Sequence, residues 1–310
     1  MIPREFGRSG IKLSPVTFGS MRLSPQKIDL DGAVKLISYL YDQGVNTFHS
    51  SHEYDTDAFF CQVLKRFRSQ NPSAEIKHIA KIGVPHFGEG EFRSDRLITL
   101  IENRLGDLAT ERIDLVQWLV RHQPNEDRHR LPILTACQEK LAATWSQLQQ
   151  EGKVGALASF PYSPTFAAAV LQLSACQGLV TYLNLLELEM TPFLEQMAAQ
   201  GQGYVAIRPL GGGSITSDAA MAKPTADQSH SQKLKAITNS LNISPTDITK
   251  LAIQFPLLHP VVTSIMVSVS SIQHAQEIIA AVNTLEDSLE SDLQDFEHIL
   301  LNIQESAATS

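Results

Sequence analysis

Between Phe48 and Asp55 the chain reads FHSSHEYD, which gathers His49, His52, Glu53, Tyr54 and Asp55 just past an apolar run. Imidazole and phenol can each pass a proton, and a carboxylate beside them can hold a charge or orient a donor. Lys81 stands alone in the otherwise uncharged HIAKIG, where an ammonium is either an exposed strand edge or a buried charge with a task. Two further segments suit an anion. IRPLGGGS, which contains Arg208, Leu210 and Gly211, has the glycines that let backbone approach a phosphate closely. In VSVSSIQHAQEI, Ser268, Ser270 and Ser271 precede a helical pattern, whose free N–H groups favour a negative ligand. Each feature also has a plain structural use. A tyrosine past a strand end is often core, a glycine run is often a turn, and loop histidines such as His52 and His122 are usually solvated.

The elements that must position these groups alternate along the chain. Short apolar runs predict strands at Val16–Gly19, Asn46–Ser50, His78–Ile82, Asp114–Leu119, Gly155–Ser159, Leu179–Leu183, Tyr204–Ile207 and Thr263–Val267. Between them, spacing near 3.6 predicts helices over Asp31–Gln43, Asp57–Ser69, Ser94–Leu108, Leu134–Gln150, Thr165–Ser174, Pro192–Gln200, Gln232–Leu241 with Asp247–Leu257, and Ile272–Val282. Eight strands, each followed by a helix, predict an α/β fold in which a parallel sheet closes into a (β/α)8 TIM barrel. An open doubly wound sheet is the alternative, but no G-x-G-x-x-G follows the first strand. Phe6–Pro15, with a turn at Gly7–Gly10, reads as a hairpin capping the barrel bottom. Leu285–Ile303 reads as an extra C-terminal helix, and Gly211–His230 as a loop over the top face. The expectation is one domain over residues 1–310.

The composition narrows the partners. The net charge is −8, and residues 251–310 contain eight carboxylates but no Lys or Arg. No basic patch suits a phosphate backbone, so nucleic acid is not expected, and the acidic stretch reads first as a solvated helix face. No apolar run is long enough to span a bilayer and the N-terminus lacks a secretory pattern, so no membrane is expected and the cytoplasm is the default. Three scattered cysteines, Cys61, Cys137 and Cys176, imply neither disulfides nor a metal site. Outer barrel helices and interface helices share one amphipathic pattern, so an oligomeric state does not follow.

Seven segments occur in one order along nearly the whole chain: FGRSGIKLSPVTFGSMRLS, GVNTFHSSHEY, HIAKIG, RIDLVQW, GKVGALASF, IRPLGGG and VTSIMVSVSSIQHAQEI. In these the sequence resembles the aldo-keto reductases. The resemblance implies an NAD(P)H-dependent oxidoreductase acting on a small carbonyl or sugar-like substrate. It makes Tyr54 the proton donor to the carbonyl oxygen and Lys81 the cation that lowers its pKa. The family's remaining two groups are an Asp that orients the Lys and a His that orients the substrate oxygen. His49 and Leu119 stand at those positions. Lys81 is then expected to turn to Glu53, Asp55 or water, and His49 to stay neutral near pH 7.

For the cofactor, the resemblance points to Gly19, Ser20, Arg208, Leu210 and Gly211, and to Ser268, Ser270, Ser271 and Glu277 after the last strand. The family's Ser-Asn pair on the nicotinamide amide falls at Phe160-Pro161, and Ser159 would serve if one residue has been lost. The family's strand Gln falls at Val180, and its stacking aromatic at Ile207. With no Lys or Arg after Lys250, NADH is favoured over NADPH unless Arg208 or Lys223 reaches across. Substrate contacts are expected from Arg121–Leu131 and Gly213–His230. Two other functions fit the altered positions. One is a barrel that has lost reduction, needs no cofactor and binds a ligand or a protein. The other is a non-redox proton transfer using His49.

Overall fold

A computed structural model describes residues 1–216, 228–244, 246–285 and 293–308. A short antiparallel hairpin, β1 (Arg4–Glu5) and β2 (Lys12–Leu13), comes first, closed by the Phe6 N–H donating to Ile11 O at 2.8 Å. Eight parallel strands follow: β3 (Val16–Gly19), β4 (Thr47–Ser50), β5 (Lys77–Gly83), β6 (Ile113–Leu119), β7 (Val154–Ser159), β8 (Gly178–Tyr182), β9 (Gly203–Ile207) and β10 (Val262–Val267). They close in the order β10-β3-β4-β5-β6-β7-β8-β9, with Phe48 opposite His78, Lys81 opposite Gln117 and Val180 opposite Val205. Such strands are covered on both sides, which is why they read as near-continuous apolar runs.

Alternation divides the side chains between two cores. Ile79, Leu115, Ala156, Ala158, Val180 and Val205 fill the interior, and Phe6, Ile11 and Leu13 of the hairpin plug its bottom. Phe18, Phe48, Ala80, Val116 and Leu157 face outward into the layer of helices. Those helices are α1 (Leu30–Asp42), α2 (Asp57–Gln70), α3 (Ser94–Leu108), α4 (Asp127–Gln150), α5 (Pro164–Val170), α6 (Thr191–Gln200), α7 (Gln228–Ser240), α8 (Ile248–Gln254), α9 (Ile272–Asn283) and α10 (Leu293–Ala308). Side-chain caps set several starts: Asp29 accepts from Gly32 N–H, Ser163 from Phe166 N–H and Ser271 from His274 N–H.

Several element ends differ from the sequence expectation, two helix boundaries among them. Helix α4 begins at Asp127, not Leu134, so only residues 121–126 remain as loop at that edge. The charged DRHR turn shows no apolar stripe because its buried member is Arg130, whose guanidinium bonds Pro161 O and Asp127. Helix α5 ends at Val170, before the expected Ser174. Much of Gly211–His230, including Lys223, and residues 286–292 lie outside the described residues. Among the described residues no helix is long and apolar enough to cross a membrane.

Candidate active site

The loop between β4 and α2 is tied down before it presents anything. Tyr54 N–H donates to Ser51 O at 3.1 Å, Asp57 N–H to Tyr54 O at 2.9 Å, and Thr56 Oγ1 to Ser20 O at 3.0 Å. From α3, the fully buried Arg104 donates to both Asp57 oxygens at 2.6 and 2.8 Å and to Ser50 Oγ at 2.7 Å. The end of β4 and the start of α2 are thereby fixed to one guanidinium. Tyr54 is held at the C-terminal end of the strands, where a parallel barrel presents its chemistry.

Lys81 reaches the same point from the inner face of β5. Its Nζ lies 4.8 Å from the centre of the Tyr54 ring and 3.0 Å from Glu53 Oε2. Of the three expected partners, Glu53 is the one Lys81 takes. Glu53 also receives Arg121 Nη1 and Nη2 at 2.6 and 2.8 Å. Arg121 in turn donates from Nε to Tyr162 Oη at 3.1 Å, and its Nη1 is 2.6 Å from His86 Nε2.

The charges tune one another. Burial raises the Glu53 pKa, but the Arg121 and Lys81 contacts outweigh it and hold the carboxyl down to about 2. Burial lowers Lys81, and Glu53 offsets part of that. Burial and then the Glu53 charge push Tyr54 above the ordinary phenol range, with Arg121 opposing. The Tyr54 hydroxyl has no hydrogen-bond partner among the described residues. Tyr54 is among the residues lining a cleft of about 900 Å³ whose polar wall comes from Ser24, Gln26, Glu53, Asp55 and Gln62.

His49 lies deeper, with Nε2 2.9 Å from Gln117 Oε1. Gln117 Nε2 donates to Val180 O at 2.9 Å, which orients the amide and makes His49 Nε2 the protonated nitrogen. This polar chain crosses the interior through the alternate strands β4, β6 and β8. Burial, with a smaller contribution from the Lys81 charge, drops the His49 pKa to about 4 despite the Gln117 bond. His49 is therefore neutral near pH 7. Sequence reasoning missed Gln117 because one amide in IDLVQWL looks incidental; alternation, which turns it inward with Leu119, was the available signal. Leu119 is buried and offers no donor. His122 is half-buried and stacks on His129, 4.7 Å away.

The residues implied for a cofactor separate into two groups. Gly19 stands so close to Ser268 that an added Cβ would lie 2.8 Å from its Oγ. Ser20 is buried, its hydroxyl without a partner among the described residues. Gly211, Gly212 and Gly213 all have positive φ, and Arg208 precedes them at φ 57°, a left-handed conformation unusual outside glycine. Asn184 Nδ2 and Gly211 N–H both hold the Arg208 carbonyl, at 2.9 and 2.8 Å. Arg22, which the sequence did not single out, donates to Gly212 O at 3.0 Å. Two guanidiniums thus flank the glycine turn that includes Leu210 and Gly211. Ser271 caps α9, and the exposed Glu277 accepts from Gln273 one turn before it.

The other group presents no polar side chain to the mouth. Ala158 faces the interior and Phe160 packs edge-on against Tyr182 at 5.2 Å, so the intervening Ser159 points to the helix layer. Ser159 is on the wrong face of β7 to reach a ligand at the mouth. Phe160, Pro161, Val180 and Ile207 contribute no side-chain donor or acceptor, and Val180 O already accepts from Gln117. The aromatic at this edge is Tyr182, with the Arg208 guanidinium 5.0 Å above its ring. Glycine turn, cations and close-approach serine therefore suit the phosphates of a dinucleotide, while Phe160, Pro161, Val180 and Ile207 offer its amide no side-chain donor or acceptor.

The model of the Aldo/keto reductase family matches residues 15–295. An L-galactose dehydrogenase from Arabidopsis thaliana is 26% identical over 298 residues, covering 91% of this chain and 88% of that protein. A 6-dehydroglucose reductase from Novosphingobium aromaticivorans is 24% identical over 258 residues, covering 78% and 79%. Among solved structures, the holo form of an aldo-keto reductase from Bacillus halodurans superposes with a TM-score of 0.73 at 20% identity, covering 96% of each chain.

Proposed function

Because this chain belongs to the aldo/keto reductase family, we propose that it is an NAD(P)H-dependent oxidoreductase interconverting carbonyl and alcohol on a small, sugar-like substrate. The observation that carries this reading is the meeting of Tyr54 with Lys81 at the C-terminal ends of neighbouring strands, Nζ 4.8 Å from the ring centre. The polyhydroxylated character of the substrate is supported by the hydroxyl, amide and carboxylate groups of the adjoining cleft. It is also supported by the sugars in the names of the two relatives.

When bound, the cofactor supplies the hydride, and the rest falls to the chain's own residues. Tyr54 keeps its proton at neutral pH and gives it to the carbonyl oxygen; Lys81 offsets the charge left on the phenolate. Leu119 adds no second donor to the substrate oxygen beside Tyr54. His49 is a weak base at about 4 with its Nε2 committed to Gln117, which favours a supporting role over proton transfer. Arg208 and Arg22, with the glycine turn, would hold the pyrophosphate. The start of α9 offers Ser270 and Ser271 but no cation for a 2′-phosphate.

Calorimetric titration with both cofactors tests this. NADH is expected to bind at least as tightly as NADPH, and a cofactor at about 100 times its Kd should stabilise the fold by roughly 2.7 kcal/mol. Clearly tighter NADPH binding contradicts the preference. Failure of both to bind favours a second reading, a barrel that has lost reduction and binds another ligand, which the apolar side chains at 160, 161 and 180 support.

A further inference from the structure

Position 49 holds a buried, neutral imidazole, yet Lys81 is not left without an anion. The carboxylate beside it comes from the loop four residues further on. We propose that Glu53, clamped by Arg121, is the positioning carboxylate that anchors Lys81 beside Tyr54. This rests on the reductase chemistry proposed above. The bidentate fork from Arg121, at 2.6 and 2.8 Å, fixes the plane of the Glu53 carboxylate and aims Oε2 at Lys81 Nζ, 3.0 Å away. Tyr162 Oη and His86 Nε2 fix Arg121 in turn. The exits of four consecutive strands, β4, β5, β6 and β7, are joined by this cluster.

Charge explains why the clamp is a guanidinium. Glu53 alone would cancel Lys81 and leave Tyr54 facing a net-neutral pair, with no field to favour the phenolate. Arg121 restores one net positive charge, so Lys81 can be anchored without being silenced. The groups facing Glu53 are Lys81 from β5, His86 from the loop after β5, Arg121 from the loop after β6, and His52 and Tyr54 of its own loop. A neutral amide at 53 would keep the shape and remove the charge that offsets the burial of Lys81.

The test uses the full chain with Glu53→Gln and Glu53→Asp. One readout is the titration of Lys81 by NMR after reductive ¹³C-methylation, with its resonance assigned by its loss in Lys81→Arg. The other is the pH profile of carbonyl reduction. Glu53→Gln should move both the Lys81 titration and the alkaline limb of kcat to lower pH. At pH 8 kcat should fall about tenfold or more, with KM within about threefold. Glu53→Asp, which withdraws the carboxylate by one methylene, should give a smaller shift, and it keeps the test decisive if the Gln variant does not fold. An unchanged Lys81 titration in a folded variant overturns the proposal. A shifted titration in a protein that reduces no carbonyl, parent included, supports the anchoring and sinks the proposed function instead.

Discussion

Tyr54 has its proton but lacks a ready means of losing it, because burial and the Glu53 charge both disfavour the phenolate. What makes it a usable acid is a cation that strengthens as charge develops on its oxygen. Such an interaction acts in the transition state more than in the ground state. Tyr54→Phe should therefore lower kcat by about 10²–10⁴-fold while cofactor Kd stays within about twofold, read by steady-state kinetics beside calorimetric titration. A variant that retains turnover would remove Tyr54 from the chemistry. At this scale the sequence was informative about which residues meet and silent about how. Tyr54, Lys81 and Glu53 were identifiable as neighbours. Gln117 and Arg22 were not, since an amide inside a strand and an arginine in a polar loop acquire meaning only from the residue opposite them in space. Ser159 shows the same limit in reverse: its hydroxyl suited the task, and the pleat of β7 turned it away.

Among the elements, the link that matters most to the site is α3 to β4 and α2 through Arg104. A fully buried guanidinium holding Asp57 and Ser50 leaves an uncompensated carboxylate if it is removed. Arg104→Met should cost about 3–5 kcal/mol in urea unfolding, and adding Asp57→Leu should recover a large part of that loss. A loss below about 1 kcal/mol would mean that the loop of Glu53 and Tyr54 is fixed by its backbone bonds alone. The strands themselves were legible to within a residue or so, because double-sided burial writes each as a compact apolar run. The start of α4 was hidden because its first turn docks through Arg130 and not through an apolar stripe. The ladder pairing that sets register leaves no mark in composition at all.

Over the whole molecule, buried histidines make acid the weak side of this fold. The folded pKa values of His49 and His78, about 4 and about 3, lie below the ordinary 6.5 because burial disfavours the charged ring. Between pH 6.5 and about 4 the unfolded chain binds protons that the folded chain refuses, so stability falls as pH falls, by up to about 1.4 kcal/mol per unit for each group. Glu53, held to about 2, adds its own loss below about 4.5. Thermal melts should show Tm nearly flat above pH 7 and dropping steeply from 6.5 toward 4, with a shallower slope in His49→Gln. A Tm constant across that window would show that these rings are not held neutral.

The ring of strands closes only where β10 meets β3, joining Ile265 to Val16 and Val267 to Phe18. On the ribosome that has a temporal meaning. At about 5–20 residues per second, β3 must wait roughly ten to fifty seconds after its own synthesis for its partner to be made. Throughout that interval an apolar strand has one edge unpaired, the condition under which chains find each other instead of themselves. The last strand therefore acts as a clock as well as a wall, since the nascent barrel depends on whatever shields Val16–Gly19 until β10 arrives.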